Sequence, residues 1–361
     1  MAKIGLPVLL KAMVDQDASD LHITVGVPPE FRIQGKMVKV KTDSLTPNDT
    51  KELCYSVLAE HQRVDFEKNL ELDFSFGVRD VARFRGNLFL QKGAVAGVFR
   101  RIPLEIPDFD TLKLPPILKK IIKNPNGLIL VTGPTGSGKS TTLAAMLDIL
   151  NREEYGHLVT IEDPIEFIHP HKSCIVNQRE VGSDTKSFGT ALKRLLRQDP
   201  DFVLIGELRD VETIEMALTM AETGHLVFAT LHTNSAVQSI NRMINVFPPH
   251  QQAQIRSLLA FTLVGVLSQI LVPKSFQQGR AMACEIMIPN MGIRSLIRED
   301  KIHQIYSAMQ TGQDETGMQT MNQALTNLVR NGSLSKADAL EYSFARDELT
   351  KMLSNIQEKR T

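Results

Sequence analysis

Apolar positions follow two different rhythms along the chain. Up to about residue 102 they come in short groups alternating with polar ones, which predicts a helix over 6–14, strands over 21–23 and 31–33, one helix over 47–66 capped by Thr46, and strands over 83–90 and 97–102. Residues 1–102 thus read as a small α+β unit. Four prolines, Pro103, Pro107, Pro115 and Pro116, then break regular structure and mark 103–116 as a linker. Beyond it, uninterrupted apolar runs at 127–132, 157–161, 202–205 and 226–231 are separated by helical stretches, as a parallel sheet covered on both faces requires. The fold class is therefore α/β, with a core over 117–290 and a charged helical region over 291–361. The stretch 257–273 carries no charge between Arg256 and Lys274, yet it is short for a membrane span and contains Gln269. A buried helix running into a strand is the expectation there.

Composition narrows the classes without choosing among them. With 361 residues, 42% apolar and 23% charged, the chain is an ordinary globular protein of two or three domains. Its 41 basic residues cancel its 41 acidic ones, so no overall charge draws it to nucleic acid or to an anionic membrane. Cys54, Cys174 and Cys284 are odd in number and far apart, which fits reduced, buried thiols rather than disulfides or a zinc site. The first twenty residues soon turn acidic and do not make a signal peptide.

The candidate chemistry starts at GPTGSGKS, residues 133–140, which fits G-x-x-x-x-G-K-[ST] between a predicted strand and a predicted helix. Gly133, Pro134, Thr135, Gly136, Ser137 and Gly138 would turn backbone N–H groups toward phosphates, with Lys139 reaching the β- and γ-phosphates. Ser140, followed by Thr141, would ligate Mg²⁺. No guanine-reading Asn-Lys-x-Asp motif is present.

Hydrolysis also needs carboxylates near the attacking water and the metal. Two predicted strand ends offer Glu162 and Glu207, while position 206, where many such enzymes have Asp, is Gly. We assign Glu162 as base and Glu207 as ligand of the metal's water shell, with the reverse open. His225 and His232 flank the apolar run 226–231, too far apart for one metal, and one of them beside the γ-phosphate could sense the nucleotide state. The stretch 79–101 holds Arg79, Arg83, Arg85, Lys92, Arg100 and Arg101 against one acid, Asp80. It reads either as a solvated face or as arginines acting across a subunit boundary. Arg194, Arg197, Arg209 and Arg242 are further candidates.

The succession ASDLH (18–22), LDFSF (72–76), RFR (83–85), GPTGSGKSTTLAAM (133–146), TIEDPIEF (160–167), VNQREV (176–181), LIGELRD (204–210), ETGHLVFATLHT (222–233) and IRSLIREDK (293–301) resembles the type IV pilus retraction ATPases, of PilT/PilU type, within the secretion ATPase superfamily. That resemblance implies a RecA-like ATPase core, a PAS-like domain over 1–102, and a homohexamer with ATP and Mg²⁺ between subunits. It further implies nucleotide-linked roles for His225 and His232, and trans-acting roles for Arg83, Arg85 and Arg100. It also implies a cytoplasmic motor at the inner-membrane base of the pilus, working on a platform protein, with a paralogous retraction ATPase as possible companion and no nucleic acid. Extension ATPases of the superfamily carry a longer N-terminal region and a four-cysteine zinc motif; lacking both favours retraction. Gly292 stands where the family usually has Ala.

Three readings follow: the retraction motor or a related assembly ATPase, a nucleic-acid translocase, and a nucleotide-bound scaffold without turnover. Neutral charge, no Trp and only four Tyr speak against a translocase channel.

Overall fold

The computed structural model describes residues 4–79, 81–102, 105–276, 278–311, 313–354 and 356, with the side chains of 314 and 315 excepted. Asp80 of the basic stretch and Pro103 of the linker lie outside the described residues. Contacts divide the chain into two units, Met1–Glu105 with Glu166–Ile168, and Ile106–Ile165 with His169–Thr361.

The N-terminal unit is built on six strands: β1 (Asp20–Ile23), β2 (Glu30–Ile33), β3 (Lys36–Lys39), β4 (Glu71–Val78), β5 (Ala82–Gln91) and β6 (Ala94–Ile102). They form an antiparallel sheet in the order β3-β2-β1-β6-β5-β4. Helix Leu6–Asp15 buries Leu6, Leu9, Leu10 and Met13, spaced to line one helical face. In β5, Ala82, Phe84 and Leu88 are buried, while Arg83 and Arg85 point to the other face by simple alternation.

The helix expected over 47–66 is two helices, Pro47–Tyr55 and Glu60–Asn69. Thr46 caps the first, its hydroxyl accepting from the N–H of Asp49. The break has local causes. Ser56 Oγ donates to the Leu53 carbonyl at 2.6 Å, Leu58 turns into the core, and Gln62 Oε1 accepts the Ala59 N–H at 3.0 Å to start the second helix. Two strands were not foreseen here. β3 is exposed at all four residues, and β4 carries too few apolar positions to stand out.

The second unit holds β7 (Gly127–Thr132), β8 (His157–Glu162), β9 (Ile175–Glu180), β10 (Phe202–Ile205), β11 (Leu226–Leu231), β12 (Leu263–Pro273) and β13 (Arg280–Met287). Their order is β13-β12-β7-β11-β10-β8-β9, parallel except for the antiparallel edge strand β13. β7 and β11 are buried at every residue. Leu128 and Leu130 face one core with helices Val211–Glu222 and Ala236–Asn245, while Ile129 and Val131 face another with helix Lys139–Glu153. The four continuous apolar runs are thus parallel strands with helices on both sides.

The uncharged stretch 257–273 is the end of helix Pro249–Thr262 running into β12, and among the described residues no helix is long and apolar enough to cross a membrane. β9 and β13, edge strands with mixed patterns, were not anticipated. Phe109 and Leu114, from the proline-rich stretch, are buried in the core of this unit. Helices after 290 pack on β12 and β13, where Leu325, Val329 and Leu349 meet Ile270 and Val272. All three cysteines are free and buried, and burial pushes the Cys54 and Cys284 thiols up to about 12.

Candidate active site

The 133–140 loop leaves β7 and enters helix Lys139–Glu153 through Gly138. Its glycines are there for reasons of space and backbone. Gly133 has φ +142° and a Cβ on it would lie 2.2 Å from the Gln269 carbonyl oxygen; Gly136 and Gly138 have φ of +78° and +89°. Lys139 Nζ donates to the carbonyls of Gly133 at 2.8 Å and Pro134 at 3.1 Å, so its ammonium lies against the loop. Behind the loop, Gln269 Nε2 donates to the Ser137 carbonyl at 2.7 Å. Ser137 Oγ and Gln269 Oε1 are buried without a hydrogen-bond partner among the described residues.

The parallel register brings the other candidates to the same edge. Thr132 is paired with Leu231, Ala229 with Ile205, and Ile205 with Ile161, so Glu162 at the end of β8 and Gly133, His232 and Glu207 just past the ends of β7, β11 and β10 lie at the C-terminal ends of neighbouring strands. Ligands of open parallel sheets bind at this edge. Glu207 Oε2 receives Arg209 Nη2 at 2.8 Å, and its Oε1 lies 3.3 Å from His232 Nε2. Burial alone would raise this carboxyl, but the hydrogen bond and charge of Arg209, with His232, hold it below its ordinary value. Glu162 Oε1 accepts from Thr160 Oγ1 at 2.7 Å and Gln178 Nε2 at 3.2 Å.

Gly206 has a structural reason to replace the more usual acid. A Cβ there would sit 3.2 Å from the Ile161 carbonyl and 3.3 Å from the Glu162 Cα, and Thr230 Oγ1 donates to its carbonyl at 2.5 Å. Glu207 is left as the carboxylate of this strand end.

His225 does not join them. It precedes β11, and seven residue steps at about 3.3 Å each set it about 23 Å from His232, while its Nδ1 lies 3.0 Å from the Met220 carbonyl. Arg83, Arg85 and Arg100 belong to the N-terminal unit, on the outward face of its sheet. Arg83 Nη2 donates to Ser75 Oγ at 2.7 Å, Arg85 lies 3.7 Å from Asp73, and Arg100 Nε donates to Asp20 Oδ1 at 2.8 Å. Asp20 is 3% exposed. Its burial would raise the carboxyl, yet Ser19 and Arg100 bring it below the ordinary value. The stretch 79–101, with one acid in sequence, is thus matched in space by Asp17, Asp20 and Asp73 from β1, β4 and the segment before β1.

Sequence reasoning missed Gln269, Gln178 and Thr160, the residues that brace the loop and Glu162. Gln269 did carry a signal, as a polar side chain inside an otherwise apolar strand.

Residues 104–350 match the family of type II/IV secretion system proteins. The chain belongs to this family. Within this family it is 51% identical to the type IV pilus retraction ATPase PilT of Pseudomonas aeruginosa, over 92% of this chain and 96% of that one. It is 43% identical to the type IV pilus ATPase PilU of the same organism, over 96% of this chain and 90% of the relative. Among solved structures, that of the pilus retraction motor PilT with bound ADP superposes with a TM-score of 0.91 at 50% identity, covering 96% of this chain and 99% of that one. The α/β fold with its parallel-rich sheet and added helices is therefore the secretion ATPase fold.

Proposed function

We propose that the protein is an ATP-hydrolysing motor that powers type IV pilus retraction. The observation that carries this reading is the convergence of the glycine-rich loop, Glu162 and the Glu207–Arg209–His232 group on one edge of the parallel sheet. ATP is the substrate. The loop N–H groups and the start of helix Lys139–Glu153 bind its phosphates, and Lys139 exchanges its contacts with the loop carbonyls for phosphate oxygens. Glu162, oriented by Thr160 and Gln178, takes the proton of the attacking water. His232, set against Glu207, reports whether the γ-phosphate is present.

The residues fit Mg²⁺: a hydroxyl at Ser140 in the first helical turn and an acidic Glu207 kept ionised by Arg209. When bound, the ion neutralises charge on the phosphates. His225, at the far end of its strand, is left outside this chain's own site.

The reading includes a homohexamer in which Arg83, Arg85 and Arg100 of a PAS-like domain over 1–102 reach a neighbouring subunit's nucleotide. It places the ring on the cytoplasmic side of the inner membrane, pulling through a platform protein, alone or beside a paralogue. Two measurements test it. Deleting the gene should leave cells over-piliated and unable to twitch, whereas bald cells would make this an extension ATPase. ATP turnover of the purified protein should be indifferent to single-stranded DNA; stimulation would instead support a translocase, and no turnover would leave a scaffold.

A further inference from the structure

The phosphate loop rests on a side chain that takes no part in the hydrolysis chemistry. Gln269, on β12, is 1% exposed and alternates along its strand with Leu267 and Leu271 on the same face. β12 pairs with β7 as far as Ser268 and Thr132, whose hydroxyls also meet at 2.8 Å, so Gln269 stands level with Gly133, the first residue of the loop. The approach is close. A Cβ on Gly133 would lie 2.2 Å from the Gln269 carbonyl oxygen, and a Cβ on Gly138 would lie 3.2 Å from Gln269 Nε2 and 3.5 Å from Leu271 Cδ1. One strand therefore touches both ends of the loop.

Between those ends, Gln269 Nε2 donates to the Ser137 carbonyl at 2.7 Å, and Ser137 is itself 3% exposed. This bond fixes a direction as well as a distance. The Ser137–Gly138 peptide is planar and trans, so its N–H points opposite its carbonyl. Drawing the Ser137 carbonyl onto β12 aims the Gly138 N–H the other way, to the side where the loop meets phosphates. The far atom of the amide, Gln269 Oε1, is buried without a hydrogen-bond partner among the described residues. What the side chain contributes here is its N–H donor, at the expense of an unsatisfied oxygen.

We propose that Gln269 is a positioning residue for nucleotide binding, holding the Ser137–Gly138 peptide so that the loop meets the phosphates with its N–H groups already turned. This rests on the reading of the loop as an ATP site. A wild-type protein that binds no ADP ends that reading; ADP binding indifferent to Gln269 ends only this proposal. Phosphates lie against the loop in the ATP complex, the transition state and the ADP complex alike. Loss of the amide should therefore weaken binding throughout, and show in Kd and KM more than in kcat.

The test measures the Kd for ADP, KM for ATP, kcat and melting temperature of the full-length protein for Gln269→Met, Gln269→Glu and Val272→Ala. Gln269→Met keeps an unbranched side chain of similar length and removes the donor. It should raise Kd and KM about fivefold or more, the equivalent of one hydrogen bond, with kcat within about twofold. Val272→Ala opens a gap on the opposite face of β12, against the C-terminal helices, and should lower the melting temperature while leaving Kd alone. In Gln269→Glu the side chain can donate to the Ser137 carbonyl only while protonated, and burial raises its pKa. The ratio of its Kd to the wild-type Kd should therefore grow from about pH 6 to about pH 8. Wild-type ADP affinity in Gln269→Met, or an equal loss of affinity in Val272→Ala, overturns the proposal. Should Gln269→Met fail to fold, a pH-independent ratio in Gln269→Glu overturns it as well.

Discussion

The two sheets of this protein solve opposite problems. The seven-stranded sheet is covered on both faces, so its central strands β7 and β11 have no exposed residue, and polar chemistry can appear only where strands end. The six-stranded sheet covers one face and presents Arg83, Arg85, Arg100 and Asp73 on the other, with Asp20 buried beneath Arg100. In the first, a charged group is isolated at an edge and held by a few named partners. In the second, each charge has neighbours across the strands and shares its influence with them. Within one subunit, a lost side chain should therefore register as lost turnover in the first sheet and as lost stability, much of it screened by solvent, in the second. There the arginines bear on turnover only across the subunit boundary of the proposed hexamer.

The largest effect is expected at the phosphate loop. Lys139→Ala should lower phosphate release about 10²- to 10³-fold with little change in melting temperature, since its bonds go to loop carbonyls. Glu207→Gln should follow, with turnover down about 10²-fold. This carboxyl sits below its ordinary value of 4.5 in the folded state, so its contribution to stability is present above that pH and is lost as pH falls through the lowered value. Melting curves of Glu207→Gln should accordingly lose part of the wild type's acid sensitivity below pH 4.5.

Smaller effects are expected on the antiparallel sheet. Arg100→Ala takes the near partner from the buried Asp20 and should cost about 1–2 kcal/mol in denaturant unfolding at neutral pH. That cost should shrink in acid, because Asp20 is held below its ordinary 3.8 and loses its need for a cation once protonated. Arg85→Ala, whose pair with Asp73 is solvated on both sides, should cost under about 0.5 kcal/mol and less still at high salt. A cost for Arg85→Ala equal to that of Arg100→Ala would break the contrast, since the face would then not be screened.

Legibility in the sequence followed the same division. The parallel strands were readable because burial on both faces leaves only apolar residues, and the loop 133–140 was readable because phosphate binding needs glycines and a lysine at fixed spacing. Edge strands β3, β4, β9 and β13 were not: β3 is exposed throughout, β4 and β9 mix exposed and buried residues, and Glu285 interrupts the apolar run of the mostly buried β13. The break at Ser56 was hidden because the residues around it are compatible with a continuing helix, and the Ser56 bond to the Leu53 carbonyl, the burial of Leu58 and the Gln62 bond to the Ala59 N–H together decide otherwise. Among the candidate residues, Glu162, Glu207 and His232 were read from strand ends and Arg209 from its place beside Glu207, but Thr160, Gln178 and Gln269, which brace Glu162 and the loop, depend on register. The separation of His225 and His232 by an extended strand was legible in the sequence, and the shared nucleotide-linked role came only from the family resemblance. Arg100 was counted with its sequence neighbours as part of a basic strip, and Asp20, eighty positions away, is what it meets.

The central claim is that ATP is cleaved at the C-terminal edge of the parallel sheet with Glu162 as the base. Single-turnover hydrolysis of bound ATP by Glu162→Gln tests it most directly. The variant is expected to bind ATP as the wild type does and to leave it uncleaved; cleavage at the wild-type rate would contradict the account.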